Sequence, residues 1–320
     1  MPTIDMSLDE LKVYQGKNPR PADFDEFWDT ALSEMRATDP KVELIPADYP
    51  SKIVDCYDMF FTGTKGARIH AKLVKPKVIQ GKAPAILKFH GLSGNAGSFR
   101  ELVSHAAEGF VVASMDCRGQ GGLSEDMGQP HGTTNSTQFV RGLDGDPQDL
   151  HYRDVFLDTA MLARIVMDME DVDQTRVAAK GGSQGGALTI ACAALEPRIA
   201  LALPTYPYLS DYQRVWEMDL DKDAYKALRY YFRCFDPRHE REEEIFTKLG
   251  YIDIQHLAPR IKARVVMSTG LMDTICPPST QFAAFNKITS EKQVIIYPDF
   301  GHEGLEGQAD LEAKYLFELL

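Results

Sequence analysis

Five short apolar runs constrain this chain more than any other feature. They are "APAILKFHG" (83–91), "GFVVASMDCRG" (109–119), "TRVAAKGGS" (175–183), "ARVVMSTGLMD" (263–273) and "KQVIIYPDFGH" (292–302), and each closes on Gly, Asp or a polar turn. Runs this short, β-branched and apolar on both faces read as buried parallel strands. Helix-like stretches lie between them, among them "DVFLDTAMLARIVMDM" (154–169) and "GGALTIACAALE" (185–196). Strands alternating with helices predict an α/β fold with a mostly parallel central sheet covered on both sides. In open sheets of this kind reactive groups gather beyond the carboxyl ends of the strands, so the ends of the five runs are where chemistry is expected.

Two segments fall outside the alternation. Residues 1–75 carry a helix-like entry, "RPADFDEFWDTALSEM", followed by "YDMFFTGTKGARIHAKLVKP", whose alternation predicts antiparallel strands at the sheet edge. Residues 205–260 are aromatic and charged with no strand-like run, which reads as a helical insertion near the mouth of a site. Its Tyr206, Tyr208, Tyr212 and Trp216 suit a sugar pocket or a subunit contact, with packing the expected role for any single one. No internal repeat or low-complexity tract interrupts the chain. A length of 320 residues accommodates one large α/β domain with insertions or two small domains.

The stretch "VAAKGGSQGGALTI" joins a strand to a helix through Gly181-x-Ser183-x-Gly185. A nucleophilic serine needs that setting: a strained turn frees its hydroxyl, and the helix N-terminus faces developing negative charge. The glycines relieve crowding at a left-handed turn. A plain βα turn is the competing reading, so partners decide. Serine is a poor nucleophile without a base, and a neutral imidazole is the suitable one near pH 7. Of eight histidines, only His302 follows the last strand, in "YPDFGHEG". It completes the order serine, acid, histidine of α/β-hydrolases, which His105 and His151 do not fit. His90, in "FHGLSG", reads as serving its own loop.

The acid that orients the imidazole is expected to be Asp273, at the end of "VVMSTGLMD". Asp299 is the rival, only three residues before His302, and Asp116 and Asp144 precede the serine. Backbone N–H groups of Gln184 and Leu92 are the candidate oxyanion donors. Losing one such donor typically costs about 2.7–4 kcal/mol of barrier stabilisation, so the loop "HGLSGNAGS" is expected to be rigid.

Other chemistries find little support. "GHEG" is a lone His–Glu pair and G-x-G-x-x-G is absent, so neither zinc nor a dinucleotide is expected, nor any other cofactor. A formal charge of −12 argues against nucleic-acid or anionic-membrane partners. Five scattered cysteines without a C-x-x-C pair suit reduced thiols in a cytosol. The N-terminal sequence lacks a signal-peptide pattern, and no run approaches a membrane span, so the expected setting is cytoplasmic.

With these residues in place, the chain resembles the acetyl xylan esterase and cephalosporin C deacetylase family, carbohydrate esterase family seven. "RGQ" (118–120), "GGSQG" (181–185) and "HE" (302–303) carry the resemblance, with "RPADFDEFW", "HYRDVF" and "DTICPPSTQFAAFNKI" in support. It implies an α/β-hydrolase fold forming a single domain over 1–320, with Ser183, Asp273 and His302 as the triad. Leu92 and Gln184 would supply the oxyanion amides. It further implies a hexamer that deacetylates small xylooligosaccharides and cephalosporin-type compounds. The family usually carries Tyr where this chain has Leu92, an exchange that keeps the amide and loses a phenol. Arg118 reads as a structural ion-pair residue. A peptidase or long-chain esterase on the same fold, or a binding protein that kept the pocket, remain the alternatives.

Overall fold

The computed structural model describes residues 4–128 and 137–320; His131 lies outside them. Its centre is a nine-stranded sheet in the order β1-β2-β3-β5-β4-β6-β7-β8-β9. The strands β1 (Glu43–Pro46), β2 (Val54–Thr62) and β3 (Arg68–Pro76) form an antiparallel edge that joins β5 (Val111–Met115). From there β4 (Ala83–Phe89), β6 (Val172–Gly182), β7 (Leu201–Thr205), β8 (Arg264–Gly270) and β9 (Lys292–Tyr297) run parallel. This is the expected doubly covered α/β architecture.

The five apolar runs became β4, β5, β6, β8 and β9, and the N-terminal alternation became β2 and β3. β7 escaped the sequence reading because Pro204 sits inside it, opposite Gly181. A proline normally argues against a central strand, since it donates no ladder hydrogen bond. β1 is four residues long and exposed throughout, which leaves no alternation to read.

Before the sheet come α1 (Leu8–Leu11) and α2 (Phe24–Ala37). α2 buries Phe24, Trp28, Ala31, Leu32 and Met35, a stripe at helical spacing. The Trp28 ring stacks on Phe156 at 6.0 Å, and its indole N–H donates to the Tyr251 carbonyl at 3.0 Å. α3 (Phe99–Ala107) follows β4, α4 (His151–Met167) follows β5, and α5 (Gln184–Leu195) follows β6. Every residue of α5 is buried, which fits a helix apolar on all sides at the centre of a layer. The segment after β7 is helical, as expected: α6 (Tyr212–Glu217), α7 (Lys226–Phe235), α8 (Glu242–Leu249) and α9 (Ile254–Leu257). α10 (Pro278–Lys287) and α11 (Gln308–Phe317) complete the chain.

Two buried clusters cover the two sheet faces. Ala85, Leu87 and Phe89 pack with α4 and α5 on one side, whereas Ile86 joins Leu102 and Ala106 of α3 and Leu316 of α11 on the other. Alternation along a strand thus feeds both cores. No helix among the described residues is long and apolar enough to cross a membrane.

Candidate functional site

Ser183 stands at the turn from β6 into α5 with φ 57° and ψ −119°, a conformation costly for any residue with a side chain. Two features hold it there. Its N–H donates to the Thr205 carbonyl at 3.0 Å. The turn also packs so tightly against β4 that a Cβ on Gly185 would lie 2.1 Å from the Phe89 carbonyl oxygen, and one on Gly181 2.5 Å from it. The glycines of the motif are required by this close approach, as the sequence predicts.

The hydroxyl so presented meets its expected partner. Ser183 Oγ lies 3.0 Å from His302 Nε2, and His302 Nδ1 lies 2.8 Å from Asp273 Oδ2. Asp273 is fully buried, and its other oxygen accepts from the amides of Ile275 and Cys276, each at 2.8 Å. With a carboxylate on Nδ1, the proton there is fixed and Nε2 is left to accept from the serine. Asp299 is exposed and makes no bond to His302. Asp116 pairs with His70, and Asp144 accepts from the Tyr231 hydroxyl.

The meeting of residues 273 and 302 is arranged by backbone. Leu271 N–H donates to Tyr297 O at 3.1 Å and Met272 N–H to Phe300 O at 2.9 Å, zipping the exits of β8 and β9 together.

The two expected oxyanion amides also come from neighbouring loops. Gln184 begins α5, where an N–H has no intrahelical acceptor. Leu92 lies in the loop after β4, and its side chain packs against the core. A residue the sequence reading left without a role, Gln120, ties these loops together. Its Oε1 accepts from the Ser93 amide at 2.8 Å, and its Nε2 donates to Gln184 Oε1 at 2.8 Å. The Tyr152 hydroxyl donates to the same Gln184 oxygen at 2.6 Å. Only the "RGQ" signature could have flagged Gln120, because its partners lie 27 and 64 residues away.

His90 serves its loop as expected, donating from Nδ1 to Gly91 O at 2.7 Å and accepting the Cys117 amide on Nε2 at 3.0 Å. Burial lowers its pKa and keeps it neutral. Arg118 is structural, buried against both oxygens of Asp158 at 2.5 and 2.8 Å and bonded to Thr64. Tyr208 and Tyr212 are core residues, Tyr212 stacked on Phe139 and Tyr208 edge-on to Tyr225. Of the four aromatics singled out, Tyr206 is the one that reaches the site, its ring 4.7 Å from His302.

Donor atoms of Asp273, Cys276 and His302 lie within 4.8 Å of one another, the spacing of a metal-binding group. Here Asp273 and His302 Nδ1 already satisfy each other. Burial pushes the Cys276 thiol well above its ordinary pKa, which keeps it protonated. The group therefore does not offer three free ligands, and His302 Nε2 faces the Ser183 hydroxyl instead.

The acetyl xylan esterase (AXE1) family profile matches residues 1–319. Acetyl esterase Axe7A of Xylanibacter ruminicola is 29% identical over 306 residues, covering 92% of this chain, while the chain spans 66% of that protein's length. Among solved structures, acetyl xylan esterase 1 from Thermoanaerobacterium sp. is 53% identical, with a TM-score of 0.97 and 99% of each chain covered. Acetyl xylan esterase from Paenibacillus sp. R4 is 36% identical, with a TM-score of 0.93 over 98% of this chain and 100% of that one. The serine turn, its histidine and its buried acid thus sit in a chain that belongs to the acetyl xylan esterase family of carboxylic ester hydrolases.

Proposed function

We propose that this chain is a serine esterase that removes O-acetyl groups from small acetylated saccharides such as xylooligosaccharides, and from cephalosporin-type acetyl esters. The reading rests above all on the continuous line Asp273–His302–Ser183, with the serine held in a strained backbone conformation. The names of the relatives, acetyl xylan esterases and an acetyl esterase, support the acetyl group as the acyl part.

In this mechanism His302 Nε2 takes the Ser183 proton as Oγ bonds to the acetyl carbonyl carbon. The carbonyl π electrons move to oxygen, and the amides of Leu92 and Gln184 hold the resulting oxyanion. Collapse breaks the bond to the alcohol, which leaves with the proton from Nε2. Water, deprotonated by the same nitrogen, then attacks the acetyl-serine; the carbon–Oγ bond breaks, Oγ takes the proton back from Nε2 and acetate is released. Asp273 keeps the Nδ1 proton in place and stabilises the imidazolium formed twice per cycle.

Acetate release from acetylated xylobiose, cephalosporin C and a series of longer acyl esters tests the reading. Faster turnover of peptides or of acyl chains beyond acetyl overturns it. Covalent labelling of Ser183 by an organophosphonate is the matching test of the nucleophile. Assembly as a hexamer and residence in the cytoplasm follow from the family resemblance. Light scattering is expected to give a particle six times the 35.8 kDa chain.

A further inference from the structure

A cleft of about 430 Å³ opens beside Ser183 and His302 and runs down the sheet face that carries α3 and α11. Its walls are unlike the apolar cores on either side. Lys88 and Lys180 are register partners on β4 and β6, and Thr205 is the partner of Gly182 on β7. Alternation along the strands sends all three side chains to the cleft face. Opposite them, α11 presents Gln308 and Glu312, four residues apart and on one helix face. Glu312 pairs with Lys180, and Gln308 donates to both Glu312, at 3.0 Å, and Thr205.

Tyr206 forms the rim. Its backbone is held at φ 31°, a strained value for a tyrosine, with its N–H fixed to Ser268 O at 2.8 Å. Strain of this kind persists where the surrounding structure demands one side-chain position. Here the position puts the ring against His302, and among the described residues its hydroxyl takes no hydrogen bond.

The chemistry of ester cleavage says what this cleft receives. The leaving oxygen must lie at His302 Nε2, since that nitrogen returns the proton. The carbonyl oxygen is drawn the other way, toward the amides at Leu92 and Gln184. The alcohol portion therefore extends from His302 along Tyr206 and into the cleft. There it meets an amide, a carboxylate, two ammonium groups and two hydroxyls, donors and acceptors interleaved, with the Lys180 charge paired to Glu312 and the Lys88 charge to Glu101 at 3.7 Å. A neutral ring bearing several hydroxyls, each able to donate and accept, matches that wall. An apolar alcohol would leave the Tyr206 hydroxyl unanswered and would strip water from the polar wall with nothing in return.

We propose that this cleft is the leaving-alcohol subsite and reads a neutral sugar ring, with Tyr206, Gln308 and Glu312 as the residues that set specificity for the alcohol. The inference rests on the acetyl-saccharide reading above and deepens it by naming the surface that recognises the saccharide.

The test is a ratio, kcat/KM for acetylated xylobiose over kcat/KM for p-nitrophenyl acetate, whose alcohol lacks the hydroxyl pattern. Gln308→Ala and Glu312→Gln are each expected to lower that ratio about tenfold or more, and Tyr206→Phe, which keeps the ring, about threefold. Free xylobiose, used as a competitive inhibitor of p-nitrophenyl acetate hydrolysis, is expected to bind the first two variants about tenfold more weakly. A ratio and an inhibition constant unchanged within twofold in all three variants overturn the subsite alone. A change confined to acyl-chain preference also overturns it, because the cleft would then hold the acyl group. Native protein that turns over p-nitrophenyl acetate but not acetylated xylobiose overturns the saccharide reading itself.

Discussion

Two histidines in this fold are each held by an aspartate, and they are built for opposite ends. His302 has Asp273 on Nδ1 at 2.8 Å and the Ser183 hydroxyl on Nε2 at 3.0 Å, with 20% of its side chain exposed. His70, on β3, has Asp116 on Nδ1 at 2.6 Å and Asp58 on Nε2 at 2.9 Å, with 2% exposed. Two carboxylates call for a proton on both ring nitrogens, so His70 is a doubly donating cation with nothing left to accept. One carboxylate and one hydroxyl leave His302 a free lone pair aimed at the Ser183 hydroxyl. An Asp–His pair is therefore no mark of catalysis by itself; the partner of the second nitrogen makes the difference.

The pKa shift at His70 follows from that geometry. Burial alone favours the neutral ring, but hydrogen bonds and charge from Asp116 and Asp58 outweigh it and raise the pKa above the ordinary value of 6.5. For Asp116, burial acts upward, while His70 and the amides of Leu123 and Ala96 act more strongly downward, so its pKa is lowered from 3.8. Those two amides belong to the loops after β5 and β4. The pair is thus a staple for the loop that carries Leu92, and it acts on chemistry only through position.

The comparison breaks most visibly if the hydroxyl goes. Ser183→Ala is expected to lower kcat by about a million-fold. Its urea unfolding midpoint should match that of the native protein, since no buried charge is left unpaired. Asp273→Asn comes next, with a loss of about ten-thousand-fold in kcat from the wrong tautomer at His302. At the other histidine the large effect moves from rate to stability. His70→Ala strands the buried Asp116 carboxylate, and breaking a buried pair this way costs about 3–5 kcal/mol in urea unfolding. Its kcat should fall far less than in either site variant.

The smallest effect is a pH dependence. A group with a raised folded-state pKa stabilises fully below its unfolded value and loses that contribution as pH rises through the folded value. The stability difference between native protein and His70→Ala should accordingly stay level just below about pH 6.5 and shrink at higher pH. At the acid end, the lowered pKa of Asp116 makes its share vanish as pH falls below about 3.8 and through the folded value. A difference that grew with rising pH would mean that His70 is neutral and the contrast with His302 is misdrawn.

Legibility in the sequence followed the range of the interaction. Ser183 was readable because its requirements are local: a strand, two glycines forced by the Phe89 carbonyl, and a helix start. Asp273 and His302 were readable because strand ends gather in one place. Gln120 stood out only as part of a signature and Tyr206 only as one of four aromatics, since the first acts through residues 93 and 184 and the second through a strained backbone against residue 302. β7 was hidden by Pro204, whose tolerance in a central strand depends on the neighbours it is given.

What the chain alone determined, then, is the alternation that makes a doubly covered sheet, the sharp turn at residue 183 and the side chains at its strand ends. Periodicity and glycine placement are properties of neighbouring residues, and they survive without knowledge of the fold. Only the tertiary structure decided which aspartate faces which histidine, and which surface the cleft offers an incoming alcohol. Those choices depend on groups from 12 to 132 residues apart being brought within about 3 Å, a distance at which hydrogen bonds form and which no local pattern encodes.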